Sequence, residues 1–127
     1  MSLLSRDQIL AAQDLPVEEV EVPEWGGAVR VRGLTGSEKD QWEAEWLQFD
    51  EKGQIMERDS RDFRAKLLVR CIVDPDGKRI FEDKDAQELG AKSGIAVDRV
   101  FLVAERLSAL SQKSQQALER NFVGGQR

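Results

Sequence analysis

The hydrophobic periodicity of the chain changes from helical to alternating at residues 17–33. Two short runs there alternate valine with charged residues, the first with glutamate and the second with arginine. The turn-forming residues 23–27 lie between them, which is typical of an antiparallel β-hairpin. Since alternate strand residues face opposite sides of a sheet, the hairpin has one apolar face and one face with opposite charges. The register that we expect pairs Val22 with Val29.

The remaining segments have helical periodicity and are separated by turn residues. Ser5 with Gln8, and Thr35 with Glu38, have the spacing of capping boxes at helix N-termini. We predict helices over residues 5–12, 35–50, 60–73, 83–89 and 95–110. The last of these is apolar almost all round, so we expect it to be central, with Phe101 in the core.

The periodicity predicts an α+β fold, a mostly helical single domain with one N-terminal antiparallel β-hairpin. The chain has 127 residues, about the length of one ordinary domain. We place the core at about residues 15–112 and a polar, frayed tail at 113–127. No run of eighteen apolar residues occurs, so we expect no membrane span and a cytoplasmic location.

The net charge of −5 is distributed unevenly along the sequence. Residues 1–62 contain 15 acidic and 7 basic residues, whereas residues 63–127 contain 9 acidic and 12 basic residues. An acidic front half argues against a nucleic-acid partner, because phosphate binding needs a concentrated basic surface. The opposite signs favour a head-to-tail contact between copies, and we therefore predict a homo-oligomer that added salt weakens.

The residue types exclude most catalytic and metal-binding chemistry. The sequence has no histidine and one cysteine, Cys71, which excludes Ser–His and Cys–His nucleophiles and ordinary zinc sites. The acidic turn at residues 74–77 has a calcium-like composition, but a calcium loop that began at Asp74 would have Lys78 at a ligand position. We therefore expect a protein that is not an enzyme, without catalytic, metal or cofactor-binding residues.

Large aromatic side chains are the best candidates for protein binding, since they dominate binding hot spots. Trp42, Trp46 and Phe49 fall on one face of the predicted helix 35–50. We interpret this face first as core and keep its residues as reserve candidates for a partner surface. Trp25 lies in the hairpin turn, where a large ring is hard to bury, and is therefore the preferred candidate.

Two stretches of the sequence together resemble a known family. The first contains Val20-Glu21-Val22-Pro23-Glu24-Trp25-Gly26-Gly27, then Leu34-Thr35-Gly36 and Glu38. The second contains Asp74-Pro75-Asp76-Gly77, Ile80-Phe81, Lys92-Ser93 and the apolar helix through Phe101. This order of charged hairpin, helix start, acidic turn and apolar helix is similar to the tail assembly chaperones of long-tailed (siphovirus-type) bacteriophages and prophages, over about residues 15–112.

The resemblance implies a function in tail morphogenesis. Such proteins keep the long, helical tape measure protein soluble until tail tube subunits polymerise around it. It implies the cytoplasm of an infected or lysogenic bacterium as the location, and absence from the mature virion. Two alternatives remain at this point: a structural head–tail connector or minor tail protein retained in the virion, and a small enzyme that uses carboxylates alone.

Overall fold

The computed structural model describes residues 2–46, 51–54 and 61–110 and confirms the α+β class. A three-stranded antiparallel sheet, in the order β1-β2-β3, packs with a helical majority. The strands are β1 (Val17–Val22), β2 (Gly27–Arg32) and β3 (Ile72–Val73). The helices are α1 (Arg6–Ala11), α2 (Gly36–Trp46), α3 (Phe63–Cys71), α4 (Ala86–Gly90) and α5 (Gly94–Leu107), with short 3-10 turns at Pro23–Trp25 and Asp83–Asp85.

The predicted hairpin is present, but its register differs from the expected one by two residues. Val22 lies opposite Gly27, and Val20 lies opposite Val29. The reversal is shorter than expected because residues 23–25 form a 3-10 turn and Gly26 follows in the left-handed conformation, with φ +80°. A shift of two residues keeps every side chain on its expected face. Val20, Val22 and Val31 are therefore still buried, and Val29 packs against the core.

The third strand was not predicted from the sequence. Residues 72 and 73 were expected to end the helix 60–73, but α3 ends at Cys71 and the next two residues pair with β2. Ile72 lies opposite Val31, and Val73 lies opposite Arg30. Tertiary pairing with β2 has therefore overridden a helical pattern in these two residues.

Both predicted capping boxes are confirmed. The Ser5 hydroxyl accepts a hydrogen bond from the Gln8 amide, and the Gln8 side chain accepts one from the Ser5 amide. At α2, the Glu38 amide donates to the Thr35 hydroxyl at 3.1 Å and the Thr35 amide donates to the Glu38 carboxylate at 3.0 Å. These bonds satisfy amides that a helix start otherwise leaves unpaired.

The core lies where α5 crosses β1 and β2 and packs against α3. Phe101 is 6% exposed, and its ring meets Phe63 edge-on with centroids 5.5 Å apart. However, α5 is not enclosed on most sides as expected. Ile95 is 71% and Leu102 is 55% exposed, so this helix carries apolar side chains on a free face as well as a buried one.

The structure differs in smaller ways from the other sequence-based expectations, and some of these expectations concern residues outside the described ranges. The helix predicted over residues 83–89 is divided in the structure into a 3-10 turn and α4. The cap residue at its start is Glu82, one residue before the predicted start, and the Glu82 amide donates a hydrogen bond to the Asp85 carboxylate. The predicted end of the second long helix near residue 50, the start of the third at residue 60, and the tail 113–127 lie outside the described residues. No helix in the described part of the chain is long and apolar enough to cross a membrane.

Candidate protein-binding site

An open apolar groove of about 450 Å³ lies beside the hairpin turn. We call it the Trp25 groove. Its apolar walls and its charged rim come from four separate segments of the chain. They are Trp25 and Val29 of the hairpin, Ile72 of β3, Ile80 and Phe81 of the following loop, and Asp85, Glu88, Leu89 and Lys92 around α4.

The 3-10 turn at Pro23–Trp25 places Trp25 on the groove wall. Pro23 fixes the backbone at the first position of this turn, and the Gly26 amide closes it with a hydrogen bond to the Pro23 carbonyl at 3.1 Å. The Trp25 ring is half-buried and packs against the core cluster. The indole is therefore held by the core on one side and contributes to an open surface on the other.

An ion pair fixes the turn onto α5. The Arg99 guanidinium donates two hydrogen bonds to the Glu24 carboxylate, at 2.5 and 3.0 Å. The hydrogen bond from Arg99 lowers the pKa of Glu24 from 4.5 to about 2. Bidentate geometry of this kind limits orientation as well as distance. The position of Trp25, the next residue in the chain, is therefore set relative to α5.

Another part of the groove wall is formed by Ile80 and Phe81, which follow the acidic turn. The Asp74 carboxylate accepts hydrogen bonds from the amides of Asp76 and Lys78 within this turn, at 2.8 and 3.0 Å. The Ile80 amide then donates to the Ile72 carbonyl, and its side chain is 53% exposed. The acidic turn therefore has a structural function, since it presents an apolar side chain at the mouth of the groove.

The rim of the groove carries an excess of negative charge. Two carboxylates, Asp85 and Glu88, and one ammonium group, Lys92, lie around the apolar floor. A second hollow of about 390 Å³ shares Val29, Ile72 and Ile80 and extends the apolar surface towards Pro75. An apolar floor with a polar rim is the usual anatomy of a protein-binding surface.

Trp25 and Trp42, the two aromatic candidates whose side chains the structure describes, do not share one surface. Trp25 lines the groove, whereas Trp42 is 5% exposed and its indole N–H donates to the Phe63 carbonyl at 3.1 Å. Trp42 therefore belongs to the core, where it fastens α2 to α3. Trp46 ends α2 with its side chain outside the described part, and Phe49 lies outside the described residues altogether.

The buried polar residues of the core have a structural function. Arg70 is 1% exposed and pairs with the Glu45 carboxylate, while its guanidinium donates to the Lys66 carbonyl at 2.6 Å. Cys71 is fully buried, and burial raises the pKa of its thiol to about 12. Because a reactive cysteine needs an accessible thiolate, Cys71 is not a candidate nucleophile.

No group of three or more metal-ligating side chains comes together within residues 2–46, 51–54 and 61–110. Asp74, the residue that made the acidic turn resemble a calcium loop, uses its carboxylate to close the turn itself. The Trp25 groove is thus an apolar surface with a few charged residues, and such a surface suits the binding of another protein.

Sequence reasoning found one wall of the groove and missed the other. Trp25 was selected because it lies in a turn, whereas Ile80 and Phe81 were named only as part of the family resemblance. An available signal was that this apolar pair lies two residues after a strong turn in a charged stretch. The turn reverses the chain and brings the pair back beside β3.

Comparison with known proteins confirms the family resemblance. The family model for phage tail assembly chaperones matches residues 6–120. The solved structure of the bacteriophage HK97 tail assembly chaperone superposes with a TM-score of 0.53, at 21% identity, over 80% of this chain and 90% of the HK97 chain. At that identity the structural likeness establishes the fold alone. No curated protein shows significant sequence similarity to the chain. Because the family model spans nearly the whole sequence, the chain belongs to the phage tail assembly chaperone family.

Proposed function

We propose that the chain keeps the tape measure protein soluble during tail assembly by binding apolar stripes of its helices in the Trp25 groove. The observation that carries this proposal is the groove itself, which is open, has an apolar floor and is lined by a half-buried tryptophan. Open apolar surfaces on a folded protein usually mark binding sites. A tail assembly chaperone acts on tail proteins, and a long helical protein presents the surface that such a groove fits.

The rim charges define the helix that fits best. An amphipathic helix enters a groove with apolar residues at positions i, i+3, i+4 and i+7. Asp85 and Glu88 favour basic residues beside that stripe, and Lys92 favours one acidic residue. Because these charges are exposed and screened, we assign most of the affinity to the apolar floor and the choice of orientation to the rim.

The same proposal covers the other participants in assembly. Tail tube subunits are the second partner, and they displace the chaperone as they polymerise around the tape measure protein. The chaperone works in the cytoplasm of the bacterial host, has no catalytic activity and is absent from the mature virion. It also self-associates, and the charge difference between its two halves supports this.

Co-expression with the tape measure protein encoded nearby tests the proposal. We expect the wild-type chain to raise the soluble fraction of the tape measure protein several-fold. Trp25→Ala removes the indole from the groove wall, and Ile80→Asp places a charge at its mouth. Both variants should lose the effect while remaining folded, because neither side chain is fully buried.

Val17→Asp is the matched control. Val17 is 54% exposed, nearly the same as Ile80, but it lies outside the groove, so this variant should behave as wild type. A wild-type chain that leaves the solubility of the tape measure protein unchanged would overturn the chaperone mechanism. Mass spectrometry of purified particles addresses the alternative, since a connector or minor tail protein would be present there in stoichiometric amounts.

A further inference from the structure

The two edges of the three-stranded sheet differ in how they are covered. At the β3 edge, the Ile80 amide donates to the Ile72 carbonyl and Val73 forms a bridge with Arg79, so the chain itself covers this edge. Strand β1 is the opposite edge, and no other strand in the described part of the chain pairs with its outer side. Every residue from 2 to 19 is exposed, so the segment before β1 does not bury it. This free side of the strand, the β1 edge, is therefore open.

The backbone groups that the β1 edge presents follow from the register of the hairpin. Gly33 lies opposite Pro16, one position beyond the last paired residues, and its amide donates to the Pro16 carbonyl at 2.9 Å. Hydrogen-bonded and non-hydrogen-bonded pairs alternate along an antiparallel ladder. Counting from Gly33, residues 18, 20 and 22 therefore bond to β2. Residues 17, 19 and 21 direct their N–H and C=O groups away from β2, towards the open side.

These outward backbone groups are available for a partner. Within residues 2–46, 51–54 and 61–110, no backbone hydrogen bond outside the ladder reaches residue 17, 19 or 21. All three residues are exposed. A row of unpaired N–H and C=O groups on an edge strand is a template for a further strand. The β1 edge therefore has the geometry to accept an extended segment.

The charge at the β1 edge determines which segment can pair there. Residues 7–29 contain six acidic residues and no basic residue. Four of these acidic residues form ion pairs with arginine within the chain: Asp7, Glu18, Glu19 and Glu24. Asp14 and Glu21 have no ion-pair partner among the described residues, which leaves an excess of negative charge beside the strand. A second copy of β1 would bring glutamates close to glutamates, so the edge repels its own copy and favours a basic strand.

We propose that the β1 edge binds an extended, basic segment of another protein, which adds a fourth strand to the sheet. The side chains of Glu19 and Glu21 lie on one face of β1, and those of Val20 and Val22 lie buried on the other. The segment that fits therefore alternates lysine or arginine with apolar residues. Backbone hydrogen bonds supply the affinity of such added strands, and alternate side chains supply the specificity. This surface is separate from the Trp25 groove, which takes a helix.

Hydrogen exchange measured by NMR tests the proposal, with a short synthetic peptide that alternates lysine and valine as the probe. In the free protein, the amides of residues 18, 20 and 22 should exchange slowly and those of residues 17, 19 and 21 rapidly. Saturating peptide should slow the second set about tenfold or more. Two control peptides should have no such effect. One replaces lysine with glutamate, and the other has N-methylated amides that cannot donate hydrogen bonds.

Two variants at one position separate the backbone contribution from the charge. Glu19→Pro removes an outward N–H and leaves the ladder to β2 intact, because an edge strand tolerates proline where its N–H faces solvent. Glu19→Ala removes the same charge and keeps the N–H. We expect Glu19→Pro to bind the lysine peptide about tenfold more weakly than Glu19→Ala does.

Three results would overturn the proposal. The first is an exchange rate at residues 17, 19 and 21 that the lysine peptide leaves unchanged or that the glutamate peptide slows equally. The second is equal affinity of the two Glu19 variants. The third is protection of these amides in the peptide-free protein as its concentration rises, since a second copy would then occupy the edge. The tape measure protein is not needed for these measurements, so their failure is distinguishable from a failure of the Trp25 groove.

Discussion

Gly33 lies where the residues before the hairpin, the end of β2 and the end of α5 meet. A Cβ atom at residue 33 would lie 2.7 Å from the Leu107 carbonyl oxygen and 3.3 Å from Pro16 Cδ. Neither neighbour is a flexible side-chain end, so the chain must shift to accept a methyl group. We predict that Gly33→Ala lowers the free energy of unfolding by about 1–3 kcal/mol, as overpacking does.

Urea denaturation followed by tryptophan fluorescence provides the measurement for Gly33→Ala. Gly27→Ala is the matched control, because Gly27 begins β2, the strand that ends one residue before Gly33, and a Cβ atom there meets nothing within 4 Å. A Gly33→Ala variant as stable as Gly27→Ala would show that α5 can move away from the hairpin without cost.

Phe101 and Leu102 are neighbours in α5 with opposite exposure, 6% and 55%. Phe101 packs edge-on against Phe63, and the Arg64 guanidinium lies 5.5 Å from the centre of its ring. We predict that Phe101→Ala costs about 3–5 kcal/mol of unfolding free energy, as buried phenylalanine truncations do. Leu102→Ala should change it far less. Equal losses for the two variants in denaturant unfolding would contradict the assigned facing of α5.

Among the secondary-structure elements, the start of α2 is the one whose stability depends most clearly on pH. The Arg32 guanidinium binds the Glu38 carboxylate at 2.7 and 2.9 Å, and the Thr35 amide also donates to it. Burial alone would raise the pKa of Glu38, but the hydrogen bonds from Arg32 and Thr35 outweigh it and hold the pKa below 4.5. A carboxyl group with a lowered folded-state pKa stabilises the fold above its unfolded pKa, and this stabilisation is lost on acidification.

We therefore predict that wild type is more stable than Glu38→Gln at neutral pH and that the difference shrinks as the pH falls below 4.5. Urea unfolding of both proteins over a series of pH values measures this difference. A difference that stays constant to about pH 2.5 would show that Glu38 acts through its shape and not through its charge.

The elements also show how much of the fold was predictable from sequence. The hairpin and the capping boxes rest on local patterns, and these were found. The predicted hairpin register was wrong by two residues because the left-handed conformation of Gly26 shortens the turn. Strand β3 was missed because its two residues form a strand only through pairing with β2. In the Trp25 groove, Trp25 was predicted from its place in the hairpin turn. Ile80 was missed because its position depends on a tertiary hydrogen bond to Ile72.

For the whole molecule, part of the charge difference between the two halves is already used inside each copy. Glu18 and Glu24 of the front half pair with Arg106 and Arg99 of α5. Less charge is therefore left for contacts between copies than the sequence totals suggest. The contact between copies that we predict therefore depends on the charges that are not paired within each copy.

We predict that raising NaCl to about 1 M, where the Debye length is only about 3 Å, lowers the mass of the oligomers. Light scattering across a salt series measures this mass. Oligomers whose mass stays unchanged at high salt would contradict a contact between exposed charges.

The pairing of β1 with α5 also has a consequence for the order in which the chain folds. Two ion pairs join the hairpin to α5, one from Glu18 in β1 and one from Glu24 in the hairpin turn, and they connect residues 88 and 75 positions apart. A hairpin alone is marginally stable in water, so β1 and β2 need α5 to cover their valines. On the ribosome, α5 is synthesised after the hairpin and after α2 and α3, and such distant contacts form slowly. The apolar face of the hairpin therefore stays incompletely covered from its synthesis until α5 has emerged.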